Sequence, residues 1–331
     1  MPSPSISVVV PAHNAQQFIE QSIKAILNQV HPGAIEIIVV DDGSTDATAR
    51  LVRSFPSIKY IYQENAGPAA ARNRGARESK GEIIFFTDSD CAPQPDWVAK
   101  MIPHFQDTSV AVVAGSYGIR NGQFWLAKSI HQEIAFRHKF LMPQFPNSFG
   151  SYNFCIKKNV FIELDGFDES YRYPSGEDND LSYKIIKAGY KIYFEKSALV
   201  NHWHTTSLQK YLREQYRHGF WRAKLYGRHP GMARGDDYTF WKDIVEIPLS
   251  LLVIGSLIFV MLMPHLSFWI LCFSAIVLIG IEVFYGLRIT PSSKSAFALA
   301  FMMFLRSFAR SVGFLLGAGY FLTRICMKKD K

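Results

Sequence analysis

The sequence predicts an α/β fold: a doubly wound, mostly parallel sheet, followed by a C-terminal transmembrane helical hairpin and an amphipathic or interfacial helix. Three observations carry this. Apolar runs alternate with helical stretches in the order β-α-β-α-β-α-β up to Asp90, with short connections. The runs are continuously apolar, as in strands buried on both faces. From Ile244 the composition shifts to apolar stretches about as long as a bilayer is thick.

Ser5 to Val10 is the first strand, broken by Pro11-Ala12-His13-Asn14. Phe18, Ile19, Ile23, Ile26 and Leu27 then recur at helical spacing. Glu36 to Val40 is a β-branched second strand, ending in Asp41-Asp42-Gly43, and Thr45-Asp46 caps a helix running to Phe55. Lys59 to Gln63 is the third strand. Pro68 opens an alanine-rich helix through Ser79, which Gly81 stops. Glu82 to Phe86 is the fourth strand, followed by Asp88-Ser89-Asp90. Trp97 to Phe105 reads as a helix, Val110 to Ser116 as a strand and Phe124 to Phe140 as a helix. A short helix follows near Lys158 to Leu164, and another runs through Lys187 to Gly189. Tyr190 to Phe194 is a strand, Asn201 to His204 a polar loop, and Leu208 to Tyr226 a basic, aromatic helix.

The 331 residues carry a net charge of +8, which favours acidic partners such as nucleic acid, anionic lipid or a phosphorylated substrate. No nucleic-acid-binding module is recognisable, and nucleic acid is excluded as a partner. The four cysteines, Cys91, Cys155, Cys272 and Cys326, lie far apart, which argues against a disulfide framework and fits a reducing compartment. Met1 to Ser7 shows no signal-peptide pattern.

The polar clusters Pro11–Asn14, Asp41–Asp46 and Asp88–Asp90 each follow the C-terminal end of a strand. Those ends line one edge of the sheet, where ligands of open α/β folds sit. Side chains at i and i+2 of an extended segment share a face. Asp88 and Asp90 are therefore placed to share one hard cation, or to hold one through its waters and a ligand's phosphate oxygens. A solvated turn that stops a strand is the plain alternative.

The chain divides into a catalytic domain over 1–228, a linker over 229–243, a transmembrane hairpin over 244–287 and a last segment over 288–331. Ile244 to Met263 and Leu266 to Leu287 form the hairpin, turned by Met263-Pro264-His265. Without an export signal the first domain stays cytosolic, and the hairpin returns Arg288 and Lys294 to that side. The protein is thus expected in the cytoplasmic membrane, multi-pass. The third apolar segment, Ala296 to Ile325, carries Arg306, Arg310 and Arg324 and leads to a basic tail. At 100° per residue, Arg306, Arg310, Gly313, Gly317 and Arg324 fall within about 60° of one another. That cationic stripe suits an interfacial or re-entrant helix facing lipid headgroups or the catalytic domain. A third span held by bundle contacts is the alternative.

Taken together, V-V-V-P-A-H-N (8–14), V-V-D-D-G-S-T-D (39–46), A-R-N-R-G-A (71–76), D-S-D (88–90), G-F-D-E (166–169) and G-E-D-N-D-L (176–181) resemble the family-2 glycosyltransferases of the GT-A fold. The resemblance covers about residues 5–225, and the hydrophobic C-terminus is similar to that of membrane-anchored members. It implies an inverting sugar transfer from a nucleotide diphosphate sugar, with Mg²⁺ or Mn²⁺. It makes Asp90 the principal metal-side carboxylate and sets Asp88 against the ribose or the metal. Pro11 and Asp42 then line the nucleoside pocket, with Asp42 accepting from the base edge and Asp41 among the donor-binding residues. Asn73, Arg72 and Arg74 lie near the donor; solvated arginines on a helix turn are the plain alternative. Asp178 is the base that deprotonates the acceptor hydroxyl, and Glu177 beside it raises its proton affinity by like-charge repulsion. His202 is a further metal ligand or a packed loop histidine.

Processive members carry Q-x-x-R-W after the base. Gln215 to Trp221 does not match it, which favours transfer of a single sugar. Arg217 and His218 there hold the diphosphate or are surface cations. The anchor and the arginine stripe point to a lipid-linked or membrane-delivered acceptor. A processive synthase and a non-catalytic, membrane-anchored nucleotide-sugar-binding scaffold are the competing readings.

Overall fold

The computed structural model describes residues 4–329, apart from 32, 235, 236 and 238–240. The chain packs as two units: one runs to Arg120 and resumes over His138–Trp203, and the other joins Asn121–Arg137 to the chain from His204 onward.

The first unit opens with β1 (Ile6–Ala12), α1 (Ile19–Leu27), β2 (Ile35–Asp42), α2 (Thr48–Arg53), β3 (Ile58–Gln63), α3 (Pro68–Glu78) and β4 (Ile83–Thr87). There follow β5 (Cys91–Pro93), α4 (Trp97–Met101) with a 3₁₀ turn over Ile102–Gln106, and β6 (Val110–Ile119). The helix α5 (Trp125–Phe140) belongs largely to the second unit. Then come β7 (Asn153–Lys157), α6 (Lys158–Glu163), α7 (Glu177–Lys187) and β8 (Lys191–His202). Among the described residues the sheet has eight strands in the order β3-β2-β1-β4-β7-β6-β8-β5. The strand β1 pairs parallel with β2 and β4, β2 with β3, and β6 with β8. Antiparallel pairs join β7 to β4 and β6, and β5 to β8.

The continuous apolar runs serve two cores. Val8, Val10, Ile37, Val39, Ile83 and Phe85 face one, together with Ile19, Ile23 and Trp97. Val9, Ile38, Val40, Ile84 and Phe86 face the other, with Ala69, Ala76 and Leu181. Alternate residues of a strand point to opposite faces, so both parities must be apolar when helices cover both. On the second face α3 lies close against β1. A Cβ on Gly75 would fall 2.3 Å from Val9 Cγ1, so only glycine fits there.

Two strands are absent from the sequence-based expectation. Residues 91–93 are too short to show a pattern, and Asn153–Lys157 follows the irregular stretch 141–152, with Pro143, Pro146 and Gly150, that hides its start. Lys191–His202 is also longer than expected: Asn201 and His202 end the strand instead of lying in a loop.

The second unit is helical: α5, α8 (Leu208–Arg228), a 3₁₀ turn over Pro230–Arg234, α9 (Trp241–Phe259), α10 (Pro264–Ile289) and α11 (Ser293–Lys329). The side chains of Arg324 and of the basic tail lie outside the described residues, as does part of the expected linker. Two described helices are long and apolar enough to cross a membrane, Pro264–Ile289 and Ser293–Thr323. The expected first arm of the hairpin begins three residues earlier, at Trp241, and carries Lys242, Asp243 and Glu246 in its first turns.

Two arginines of the α11 stripe, Arg306 and Arg310, face acids of neighbouring helices. Arg306 Nη1 donates to Glu133 Oε2 at 2.5 Å, and its Nη2 lies 3.6 Å from Glu246 Oε1. Arg310 pairs with Asp243 at 3.2 Å and donates to Gln215 Oε1 at 2.8 Å. Arg137 joins Glu133 and Asp243, and Lys242 joins Glu246 and Glu282. The stripe thus packs on α5, α8 and α9, two of which were expected in the catalytic domain. Its glycines serve the same contact. A Cβ on Gly313 would fall 2.0 Å from Tyr216 O, and one on Gly317 would fall 2.3 Å from Phe220 O. Small residues on this face therefore let the backbones of α8 and α11 touch.

Candidate active site

Polar residues gather where β1, β2 and β4 end. Pro11 is buried in β1, opposite Val40. Asp41 is fully enclosed: Oδ1 accepts from Ser44 N at 2.9 Å and Oδ2 from Tyr60 Oη at 2.8 Å. That bond, after burial, pushes the Tyr60 hydroxyl up to about 12. Asp42 accepts from Gln63 Nε2 (2.7 Å), Ala66 N (2.8 Å) and Gly67 N (2.9 Å). These bonds hold the turn from β3 into α3. A carboxylate offers about four acceptor positions, so little is left for a base edge.

Arg72 is not a solvated arginine. Its side chain is 2% exposed. Nη2 donates to Asp88 Oδ1 at 2.7 Å and Nη1 to Glu177 Oε1 at 3.1 Å, while the guanidinium lies 5.5 Å from the Phe167 ring. One buried cation thereby ties the D-S-D turn to the G-E-D segment. Asn73 next to it closes the G-F-D-E loop: Nδ2 donates to Phe167 O (2.8 Å) and Glu169 Oε1 (3.0 Å), and Oδ1 accepts from Phe167 N (2.9 Å). Its amide is committed to that loop. Arg74 is exposed, 3.9 Å from Glu78.

Glu177, Asp178 and Asp180 occupy the first turn of α7, where the helix dipole favours anions. Asp180 is buried, 3.6 Å from Lys184. Asp178 is half-buried and accepts from Asn179 N at 2.8 Å. Glu177 is enclosed and accepts from Ser175 N at 2.7 Å. Burial, and then the Asp178 charge, push the Glu177 carboxyl well above the usual range, although Arg72 pulls the other way. Of the two neighbours, Glu177 is the one the fold buries.

At the other end of the D-S-D turn, Asp90 Oδ1 lies 3.4 Å from His202 Nε2. Their side chains are 35% and 17% exposed. Cys91 opposes His202 across the antiparallel β5–β8 pair, and its Sγ lies 3.8 Å from Asp90 Oδ1. The ligand atoms of Asp90, Cys91 and His202 all lie within 4.8 Å of one another. A carboxylate with an imidazole beside it, partly open to solvent, fits a divalent cation such as Mn²⁺. Asp88 instead turns one oxygen to Arg72. The His202 ring is 5.1 Å from Tyr117, which stacks on Tyr152. Cys91 was missed as a neighbour, although it directly follows the second aspartate. Arg217 and His218 belong to the second unit, half-buried and exposed respectively on α8.

A mixed α/β sheet with carboxylates gathered at one edge defines a GT-A-type fold. Within it, residues 7–165 match the family model described as glycosyl transferase family 2. A pre-mycofactocin glycosyltransferase of Mycobacterium tuberculosis is 29% identical over 235 residues, 68% of this chain. The chain spans 48% of that relative's length. The glycosyltransferase AglE of Haloferax volcanii is 28% identical, over 65% of this chain and 72% of its own. The fold is similar to that of the mannosyltransferase PcManGT from Pyrobaculum calidifontis, solved in complex with GDP-Man and Mn²⁺. The TM-score is 0.56 at 21% identity, over 96% of this chain and 86% of that one.

Proposed function

We propose that the chain is an inverting glycosyltransferase, moving one sugar from a nucleotide diphosphate sugar to a lipid-linked or membrane-delivered acceptor. The observation that carries this is the single guanidinium of Arg72 bonded to both Asp88 and Glu177. It links a donor-side and an acceptor-side group at one place.

Asp90 and His202 would hold a divalent cation, Mg²⁺ or Mn²⁺. When bound, such an ion neutralises the charge that develops on a diphosphate leaving group. Asp88, fixed by Arg72, accepts from the donor ribose. The backbone turn held by Asp42 and the wall at Pro11 receive the nucleoside. Asp178 takes the proton of the acceptor hydroxyl as that oxygen attacks the anomeric carbon from the face opposite the leaving group. Glu177 assists by being the buried partner: it gives up its charge first, so Asp178 keeps its own and remains a base. The helices α10 and α11 anchor the protein in the cytoplasmic membrane with the catalytic unit cytosolic.

The test is a panel of nucleotide sugars scored for metal-dependent nucleotide diphosphate release, with and without membrane lipid extract. Release from one donor, stimulated by lipid, is the expected result. Equal transfer to soluble acceptors would remove the lipid-linked acceptor, and silence with every donor and metal would remove the enzyme reading. Products extended by many sugars would replace single transfer by a processive synthase.

A further inference from the structure

We propose that Asp90, Cys91 and His202 form a three-ligand site for thiophilic ions, so that Zn²⁺ binds at the proposed metal position in a different, inhibitory mode. This rests on the reading of Asp90 and His202 as metal ligands and adds the thiol to it.

The geometry is close to what zinc needs. In a tetrahedral site with Zn–S near 2.3 Å and Zn–N or Zn–O near 2.0–2.1 Å, ligand atoms lie about 3.3–3.8 Å apart. Asp90 Oδ1 stands 3.4 Å from His202 Nε2 and 3.8 Å from Cys91 Sγ. The fold fixes this arrangement. Directly opposed residues of an antiparallel pair project to the same face, and Cys91 opposes His202. Asp90 ends the turn that leads into β5, closed by Cys91 N donating to Asp88 O at 3.0 Å. Cys91 is fully enclosed on the core side, whereas Asp90 is partly open, so an ion enters past the carboxylate.

The chemistry separates two classes of ion. Mg²⁺ and Mn²⁺ prefer oxygen ligands and leave the thiol aside. Zn²⁺ and Cd²⁺ recruit it: the S–H bond breaks, the metal–sulfur bond forms and the proton leaves to solvent, with no change of oxidation state. Zinc stands above manganese in intrinsic affinity, and a thiolate widens that gap. Carboxylate, thiolate and imidazole then leave one tetrahedral position open. A diphosphate that must be gripped through several oxygens is poorly served by it, so the zinc form is a dead end. The ligand class is therefore a soft divalent cation, and the consequence is zinc inhibition that manganese relieves only in excess.

The experiment uses the purified, metal-free full-length chain. Cd²⁺ is titrated as the spectroscopic stand-in for Zn²⁺, and bound Mn²⁺ is followed by electron paramagnetic resonance. A thiolate-to-cadmium absorption band saturating at one ion per chain is expected, lost in Cys91→Ser and kept in Cys272→Ser. Zn²⁺ should displace Mn²⁺ at least about tenfold more weakly from Cys91→Ser than from the natural chain. If that variant does not fold, X-ray absorption of the zinc-loaded natural chain decides, with one sulfur near 2.3 Å expected in the first shell. A band that persists in Cys91→Ser, or a zinc shell without sulfur, overturns the inference. Mn²⁺ binding without a cadmium band would leave the proposed metal reading standing and remove this one. A cadmium band without Mn²⁺ binding would do the reverse.

Discussion

Two regions of this molecule bury arginines among carboxylates, and they do so to opposite ends. In the second unit Arg137, Lys242 and Arg306 meet Glu133, Asp243, Glu246 and Glu282, and these buried charges close on themselves. In the first unit Arg72 meets Asp88 and Glu177, but Asp88 stays 31% exposed, and Asp178 and Asp90 are half-buried nearby in sequence. The closed network holds helices together. In the open one a buried cation fixes Asp88, which reaches the surface, as well as the enclosed Glu177. Burial of charge therefore signals structure when the partners are all internal, and signals a site when one partner is left at the surface.

The comparison can be tested from its strongest contrast downward. Asp178→Asn should lower transfer about 10²–10⁴-fold while nucleotide binding by calorimetry and the melting temperature stay unchanged. Full turnover would take Asp178 out of the base role. In the closed network, Arg306→Ala should cost about 3–5 kcal/mol of stability by stranding Glu133 and Glu246, read as a lowered melting temperature in detergent. The paired change Arg306→Met with Glu133→Leu should recover most of that loss, because it removes both charges. An unaltered melting temperature in Arg306→Ala would show that the network does not carry the bundle.

Arg72→Lys keeps the charge but loses the fork that reaches two carboxylates. Its melting temperature should fall by an amount worth about 1–3 kcal/mol, and its activity should fall further than Arg74→Lys, which touches only an exposed Glu78. Equal activity in the two variants would break the contrast. The smallest effect is on pH. Glu177 is raised to about 7, so Glu177→Gln mimics the neutral form it already takes in acid, and the charge beside Asp178 changes only above that value. The acid limb of the kcat/KM profile should therefore stay nearly in place, within about half a unit. Because the Glu177 carboxyl is raised in the folded chain, its contribution to stability is present at acid pH and lost as pH rises through its folded value. The variant should lack that slope, and a limb moving to higher pH would contradict the assignment.

The first four strands were legible because both parities of each are apolar, a pattern that needs no tertiary information. The D-S-D and G-E-D motifs stand out in the sequence as carboxylate clusters, and Asp178 and Asp180 both fall in the first turn of α7. The link between the motifs through Arg72 was not legible, since an arginine in an alanine-rich helix looks solvated until its partner, 105 residues away, is known. Asn73 was read toward the donor, whereas its amide closes the loop at Phe167 and Glu169. The spacing of the stripe on α11 left lipid headgroups, the catalytic domain and a helix bundle open as its partner, and Arg306 and Arg310 meet acids on neighbouring helices. Arginines beside glycines mean close helix packing once acids on other helices are available to meet them. The strands β5 and β7 were not legible because three residues show no period and the irregular stretch before Asn153 obscures where β7 begins.

The double bond of Arg72 has a consequence for the newly made chain. The guanidinium lies between the turn after β4 and the start of α7, segments far apart in sequence. A chain in which α7 has not yet docked has its D-S-D turn but no base and no second carboxylate on Arg72. Such an intermediate could bind a nucleotide sugar without being able to spend it. On the proposed reading, the base and the second carboxylate on Arg72 arrive together, when α7 docks against the turn after β4.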